Sequence, residues 1–360
     1  MMRIYNFSAG PSTLPLEVLE EARDELVDYR DTGMSIIEMS HRGPEYTAVH
    51  EAAIADARAV YRVPEDFAAI FVQGGASLQF AMVPLNLLGR EHRAGYVDTG
   101  AWASKAIADA AHHGEVYTAW SGAADGYRRV PDDAELTIEN GTRYLHLTSN
   151  ETIGGVQFHR WPEVDVPLVA DMSSDFFSRP IPWERFDVVY GGVQKNLGPA
   201  GAALVFIRRS VLAETNRDLA AYLRYDVHVA KDSMYNTPPV FTIYMVGKVL
   251  RHLREHGGIG ALAERAEQKA KLLYGAIDGS GGFYRNPVDP ASRSLMNIVF
   301  RLPSEDLEAR FVDQAAAAGL SGLKGHRSVG GCRASVYNAM PIDGVRALVE
   351  FMDDFLRREG

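Results

Sequence analysis

Residues 186–209 read FDVVYGGVQKNLGPAGAALVFIRR, and the fold turns on them. Two apolar runs, FDVVY and AALVFIRR, flank the loop GGVQKNLGPAG of residues 191–201. Neither run alternates cleanly between polar and apolar residues. Both therefore read as strands covered on two faces, as in a mostly parallel sheet packed between helices. Between them one lysine, Lys195, sits on a backbone that glycines make permissive. A surface turn explains most lysines of this kind. A phosphate loop does not fit, because the Gly-x4-Gly-Lys-Ser/Thr spacing is absent. The third reading is a lysine at the carboxyl edge of a buried sheet, desolvated and therefore nucleophilic.

Working outward, short apolar runs recur as AAIFV, AGYVD, EVYTAW, RYLHLTS and PLVADMS, separated by segments able to hold helices or loops. The fold class expected is α/β, with a large domain over residues 16–250 built on a mostly parallel sheet. Residues 15–30 carry Val18, Leu19, Ala22, Leu26 and Tyr29 at helical spacing and predict one amphipathic helix. The texture changes after about residue 255. A long helical pattern, IGALAERAEQKAKLLYGAI, leads to SLMNIVFRL, a helix near 305–318, the strand RASVYNA and a last amphipathic helix. Val345, Leu348, Val349, Met352, Phe355 and Leu356 mark that helix's buried face. Residues 251–360, with 1–15 packed against them, are expected to form a smaller α+β domain.

Composition narrows the function. Across 360 residues, 46% are hydrophobic and 23% charged, as in ordinary globular chains, and the formal net charge is −10. An acidic chain is a poor phosphate-backbone binder, so no nucleic-acid partner is expected. Cys332 is the single cysteine, which excludes an internal disulfide and suits a reducing compartment. No apolar run has the length of a membrane span or signal core, so the expectation is a cytoplasmic protein with no membrane contact.

A nucleophilic lysine in such a fold suits pyridoxal phosphate, which demands further parts: an acid for its ring nitrogen, a flat partner for its ring, and a backbone nest for its phosphate. Each part has a candidate at a strand end. Asp171 closes LVADMSSDF, 24 residues before Lys195; a helix cap is its other reading. Gly74, Gly75, Ala76 and Ser77 lie between a strand and a helix. Trp102 follows another strand in DTGAWASK, and Thr152 lies in LTSNETIGG. Singly these read as a tight turn, a core tryptophan and a polar turn. In order they line the carboxyl ends of successive strands, where ligands of open α/β sheets bind.

The sequence resembles the phosphoserine aminotransferases, fold-type I pyridoxal-phosphate enzymes of the class V aminotransferase group. NFSAGPSTLP, EMSHRGPEY, FVQGGASLQF, TGAWASKA, TSNETIGGVQF, ADMSSDFFSRPI, YGGVQKNLGPAG, MYNTPPVFTIY and LKGHRSVGGCRASVYNA carry the resemblance, from residue 6 to residue 339. It implies Lys195 as the Schiff-base lysine, Asp171 as the pyridinium partner, Trp102 as the stacking ring and Thr152 as a ring-hydroxyl contact. It also implies Ala76, Ser77 and Gln194 as phosphate-cup residues. Asn236 and Thr237 would reach the neighbouring subunit's phosphate, hence a homodimer with shared sites. His41, Arg42, His326, Arg327 and Arg333 are implied as the substrate-anion set. Two positions depart from some members: Ala9 stands where a second serine occurs, and Ser77 where an arginine occurs.

The reaction implied moves an amino group between glutamate and 3-phosphohydroxypyruvate, giving 2-oxoglutarate and phosphoserine; some members also serve vitamin B6 synthesis. Both amino acids carry an α-carboxylate and a distal anion. Arg333 suits the carboxylate, which guanidinium binds bidentately, and the two His-Arg pairs suit the distal anion. Three other functions compete. A cysteine desulfurase would need Cys332 as a mobile nucleophile, yet GGCRAS reads as a small buried residue. An alanine–glyoxylate type transaminase would not need the doubled His-Arg. A cofactor-binding regulator would need a DNA-binding segment, for which the ends leave no basic helix.

Overall fold

The computed structural model describes residues 3–89 and 92–360. Seven strands form the main sheet: β1 (Phe67–Gln73), β2 (Arg93–Asp98), β3 (Glu115–Ser121), β4 (Thr142–Thr148), β5 (Leu168–Asp171), β6 (Phe186–Gly192) and β7 (Ala202–Arg208). Their spatial order is β1-β7-β6-β5-β4-β2-β3, and only β7 runs antiparallel to its neighbours. The expected mostly parallel sheet is therefore present, and all seven apolar runs are its strands.

Alternate residues of each strand enter two separate cores. Leu145, Leu147, Leu168, Ala170, Val189, Leu204 and Phe206 join one, with the helices Pro44–Tyr61 and Val240–Glu255. Tyr144, Val169, Val188, Tyr190, Ala203, Val205 and Ile207 join the other, with the helices Gly75–Leu87 and Ala101–Ala110. Burial on both faces is why these strands read as continuous apolar runs. Because six strands run the same way, Gln73, Asp98, Thr148, Asp171 and Gly192 finish along one edge of the sheet.

A third core gathers Phe7 with Leu273, Ile277, Phe300, Phe311, Leu348 and Phe355. Tyr5–Asn6 pairs in parallel with Leu320–Ser321, and Asn297–Phe300 pairs antiparallel with Cys332–Ser335. The start of the chain thus packs with its last hundred residues.

One helix is shorter than its periodicity predicts. The pattern over 15–30 yields a helix only over Leu16–Asp24, and Leu26 is 41% exposed. Glu21 and Glu25 both pair at 2.6 Å with the buried Lys248 ammonium, which anchors the end of this helix. Beyond it Asp28 accepts from Gly33 N and the chain turns through left-handed Arg30 and Asp31. An ion pair to a distant helix, invisible to periodicity, sets the boundary.

Candidate active site

Lys195 lies in the turn after β6. Its peptide is held by Leu197 N and Gly198 N donating to Val193 O, and by Ser12 Oγ donating to Lys195 O. The side chain is buried, and its Nζ donates to Thr152 Oγ1 at 2.7 Å. Gly10 is in the left-handed region (φ 139°), and a Cβ there would lie 3.3 Å from Lys195 Cγ, so the N-terminal segment covers the lysine closely. Burial pulls the ammonium down to about 8; Asp171 and Glu151 oppose that shift without cancelling it. The desolvated amine expected from the sequence is present.

Asp171 ends β5, in register with Thr148 on one side and Tyr190 on the other. It is 4% exposed, and its Oδ1 accepts from Ser173 N at 2.8 Å and Ser173 Oγ at 2.6 Å. Burial raises its carboxyl, while Lys195 and the Ser173 bonds work the other way. Asp171 therefore caps a turn rather than a helix, and it feels the lysine's charge.

Trp102 sits in the first turn of the helix Ala101–Ala110, with the Lys195 ammonium 5.6 Å from its ring centre and Lys105 at 4.3 Å. Its Nε1 is buried without a partner. That helix has no capping side chain of its own. The cap comes from Glu151, fully buried, whose two oxygens accept from Trp102 N (3.1 Å) and Ala103 N (2.8 Å). Burial raises the Glu151 carboxyl to about 7, against the two N–H bonds. Sequence reasoning quoted TSNETIGG and passed over this glutamate. The signal available was the uncapped start GAWASK, which calls for an acceptor from elsewhere.

The nest is formed as expected. Gly74 (φ 90°) and Gly75 (φ 62°) take left-handed conformations, and the helix Gly75–Leu87 starts without a side-chain cap. Its first N–H groups, beside Ala76 and Ser77, are free to receive an anion. Gln194 packs on Gly192, where a Cβ would meet its amide at 2.7 Å. Asn236 and Thr237 lie beside the start of this turn: Gln73 Nε2 donates to Thr237 O at 2.8 Å, and Asn236 Nδ2 donates to Gln73 Oε1 at 3.4 Å.

Arg333 approaches from the strand Cys332–Ser335. Its Nη1 donates to Thr152 O at 3.1 Å, while its Nε is buried with no partner. His326 shares this side of the site. Burial lowers its pKa first, and Arg333, Arg327 and Lys105 add repulsion, so four cationic groups converge there. Lys105 was not foreseen, although it lies one helical turn after Trp102. Arg327 is exposed. His41 is half-buried with Nε2 unpartnered, and Arg42 is exposed. Among the described residues, no hydrogen bond or ion pair joins His41 or Arg42 to Lys195, Arg333 or His326. Cys332 is 1% exposed and burial pushes its thiol up to about 12, which removes the thiolate a desulfurase needs.

With this geometry in hand, comparison with known proteins is decisive. The family model described as aminotransferase class-V matches residues 4–348. The chain belongs to that family. This class-V aminotransferase is 52% identical over 359 residues, all of both chains, to the phosphoserine aminotransferase of Laribacter hongkongensis. It superposes with a TM-score of 0.97 on phosphoserine aminotransferase from Bacillus circulans subsp. alkalophilus, at 52% identity and 99% coverage of each chain. A phosphoserine aminotransferase from Trichomonas vaginalis, described as bound to pyridoxal phosphate, superposes at 0.93 with 39% identity, over 98% of this chain and all of the other. The family is one of pyridoxal-phosphate transaminases, and the residues here fit that cofactor. The buried amine uses one of its donors, an acid faces it, an indole is exposed toward it, and an uncapped helix start stands ready for a phosphate.

Proposed function

We propose that this class-V aminotransferase is a phosphoserine transaminase, moving an amino group from glutamate to 3-phosphohydroxypyruvate. One observation supports the reading most directly. Thr152 is bonded on one side to the amine of Lys195 (2.7 Å, through Oγ1) and on the other to the guanidinium of Arg333 (3.1 Å, through its carbonyl). The amine proposed as proton acceptor and the guanidinium proposed as carboxylate clamp thus both bond to one residue. Lys195, Asp171, Trp102, Thr152, Ala76, Ser77 and Gln194 would hold the cofactor, which supplies an electron sink for the charge left at the substrate α-carbon.

The chain's own residues do the rest. Arg333 receives the α-carboxylate, for which its unpartnered Nε is available. With its pKa near 8, Lys195 is neutral in an appreciable fraction near neutral pH, so Nζ accepts the Cα proton and later returns it. Thr152 Oγ1 orients Nζ for both transfers. Asp171, fixed by Ser173, would hold a negative charge toward the cofactor and keep its ring nitrogen protonated. Gly10 and the sheet edge keep water from the amine. His326 and Arg327, with His41 and Arg42, form the distal anion pocket. The pocket closes in a homodimer, in which Asn236 and Thr237 of each subunit serve the other's phosphate nest. The cytoplasm is the compartment proposed, and a phosphorylated keto acid of vitamin B6 synthesis is a second substrate to test.

The test is a keto-acid panel. Each charge-assisted bond to a phosphate contributes about 1.5–3 kcal/mol net, so Arg327→Ala should lower kcat/KM for 3-phosphohydroxypyruvate roughly 10- to 100-fold. Hydroxypyruvate, lacking the phosphate, should lose little. Arg333→Ala should slow both alike. Equal losses on both keto acids in Arg327→Ala would refute the distal pocket.

A further inference from the structure

A buried side-chain network links the segment of Thr152 to the strand of Arg333. Asn150 precedes Glu151 and Thr152 on the cofactor side. Asn297 lies on the strand Asn297–Phe300, opposite Ser335 in the register that also pairs Val299 with Arg333. Their side-chain amides meet: Asn150 Nδ2 donates to Asn297 Oδ1 at 2.8 Å, with Asn150 2% exposed and Asn297 fully buried.

Every remaining amide group in the pair has a partner. Asn150 Nδ2 also donates to Ser174 Oγ (2.7 Å), and Asn150 Oδ1 accepts from Ser294 Oγ (2.6 Å). Asn297 Nδ2 donates to Ser335 Oγ (2.9 Å) and Tyr337 Oη (3.1 Å), and Tyr337 Oη donates to Ala9 O (2.7 Å). The network therefore reaches the Asp171–Ser174 turn, the Arg333 strand and the N-terminal segment beside Lys195. A buried amide pair of this kind gains little stability over a well-packed apolar pair. What it adds is direction, since each bond is lost when one element slides along the other.

We propose that Asn150 and Asn297 are positioning residues that fix the separation between the proton-transfer end of the site and its carboxylate clamp. The inference rests on the transaminase reading above. It accounts for a saturated polar network in a buried place, beside an Arg333 whose Nε is left without a partner. Both asparagines act through Thr152 and Arg333.

The experiment uses the holoenzyme and two variants, with glutarate as a non-reacting dicarboxylate probe. Asn297→Asp keeps the size and the acceptor for Asn150 but cannot donate to Ser335 or Tyr337. Ser335→Ala removes one acceptor and is the milder change. Loss of one or two hydrogen bonds' worth of alignment should weaken glutarate binding and raise the glutamate KM roughly tenfold in Asn297→Asp, and about threefold in Ser335→Ala. Cofactor affinity, read from visible absorbance, should stay within about threefold in both. A merely structural role predicts a lower Tm with glutarate binding and KM unchanged, and that result overturns the proposal. If Asn297→Asp does not fold, Ser335→Ala decides by the same readouts. Should the unaltered protein neither bind glutarate nor transaminate glutamate, the transaminase reading itself fails, and this inference with it.

Discussion

The floor of the site and its rim are built on opposite principles. On the floor, Lys195, Asp171, Glu151 and Thr152 are all buried, each has a hydrogen-bond partner, and burial displaces three ionisations: Lys195 downward, Asp171 and Glu151 upward. On the rim proposed for the distal anion, Arg42 and Arg327 are exposed, and His41 and His326 are half-buried on loops. The floor spends folding energy to hold groups where water would rather have them. The rim keeps its cations hydrated until an anion arrives. Proton transfer needs a tuned pKa and fixed geometry, which only desolvation and saturated bonds supply. Selecting a dianion needs mainly charge, which a solvated rim can provide and a second subunit can complete.

Removing the floor's amine should have the largest effect. Lys195→Ala should lower kcat by about 10²- to 10⁴-fold, the range of a lost general base, with far-UV circular dichroism unchanged. Mixing it with an Asn236→Ala, Thr237→Ala variant should restore some activity if sites are shared, because one hybrid site carries neither lesion. Failure to complement, with subunit exchange demonstrated, would confine each site to one chain.

Salt should separate the two regions next. At 1 M ionic strength the Debye length falls to about 3 Å, so exposed rim charges are screened and buried ones are not. The KM for the phosphorylated keto acid should rise several-fold between low salt and about 1 M. The pH at which kcat reports the Lys195 amine should move little. A comparable shift in both would erase the distinction drawn between floor and rim.

The smallest effect concerns Glu151. Its folded pKa, about 7, lies above the ordinary carboxyl value of 4.5. Its protonation therefore favours the folded state fully below pH 4.5, and that contribution is lost as pH rises through 7. Glu151→Gln does not titrate. The Tm difference between the unaltered protein and this variant should slope by roughly 1–2 °C per pH unit between pH 4.5 and 7, against the unaltered protein as pH rises. A flat difference would mean that the N–H bonds from Trp102 and Ala103 outweigh burial.

Much of this was legible in the chain. Six of the seven apolar runs read as strands because two-sided burial demands apolar residues, the edge strand Glu115–Ser121 being the exposed exception, and strand ends in a mostly parallel sheet fall on one edge. That put Asp171, Thr152, Trp102 and Lys195 together before any coordinate was known. The run over 15–30 was misread at its end because Glu21 and Glu25 answer to Lys248, more than 220 residues away in sequence. Glu151 was missed for the same kind of reason, since it caps a helix that begins 50 residues earlier.

The sequence by itself determined the fold class, the strands and their order, and which lysine and aspartate close neighbouring strands. These follow from local pattern and residue chemistry. Only the tertiary structure decided the state of those groups. The depressed ammonium of Lys195 depends on how closely Gly10 and the sheet edge exclude water. The aim of Arg333 depends on a hydrogen bond to Thr152, 181 residues away. The alignment of clamp and amine depends on two asparagines 147 residues apart. Desolvation and directional bonding are properties of neighbours in space, and a chain read in one dimension does not contain them.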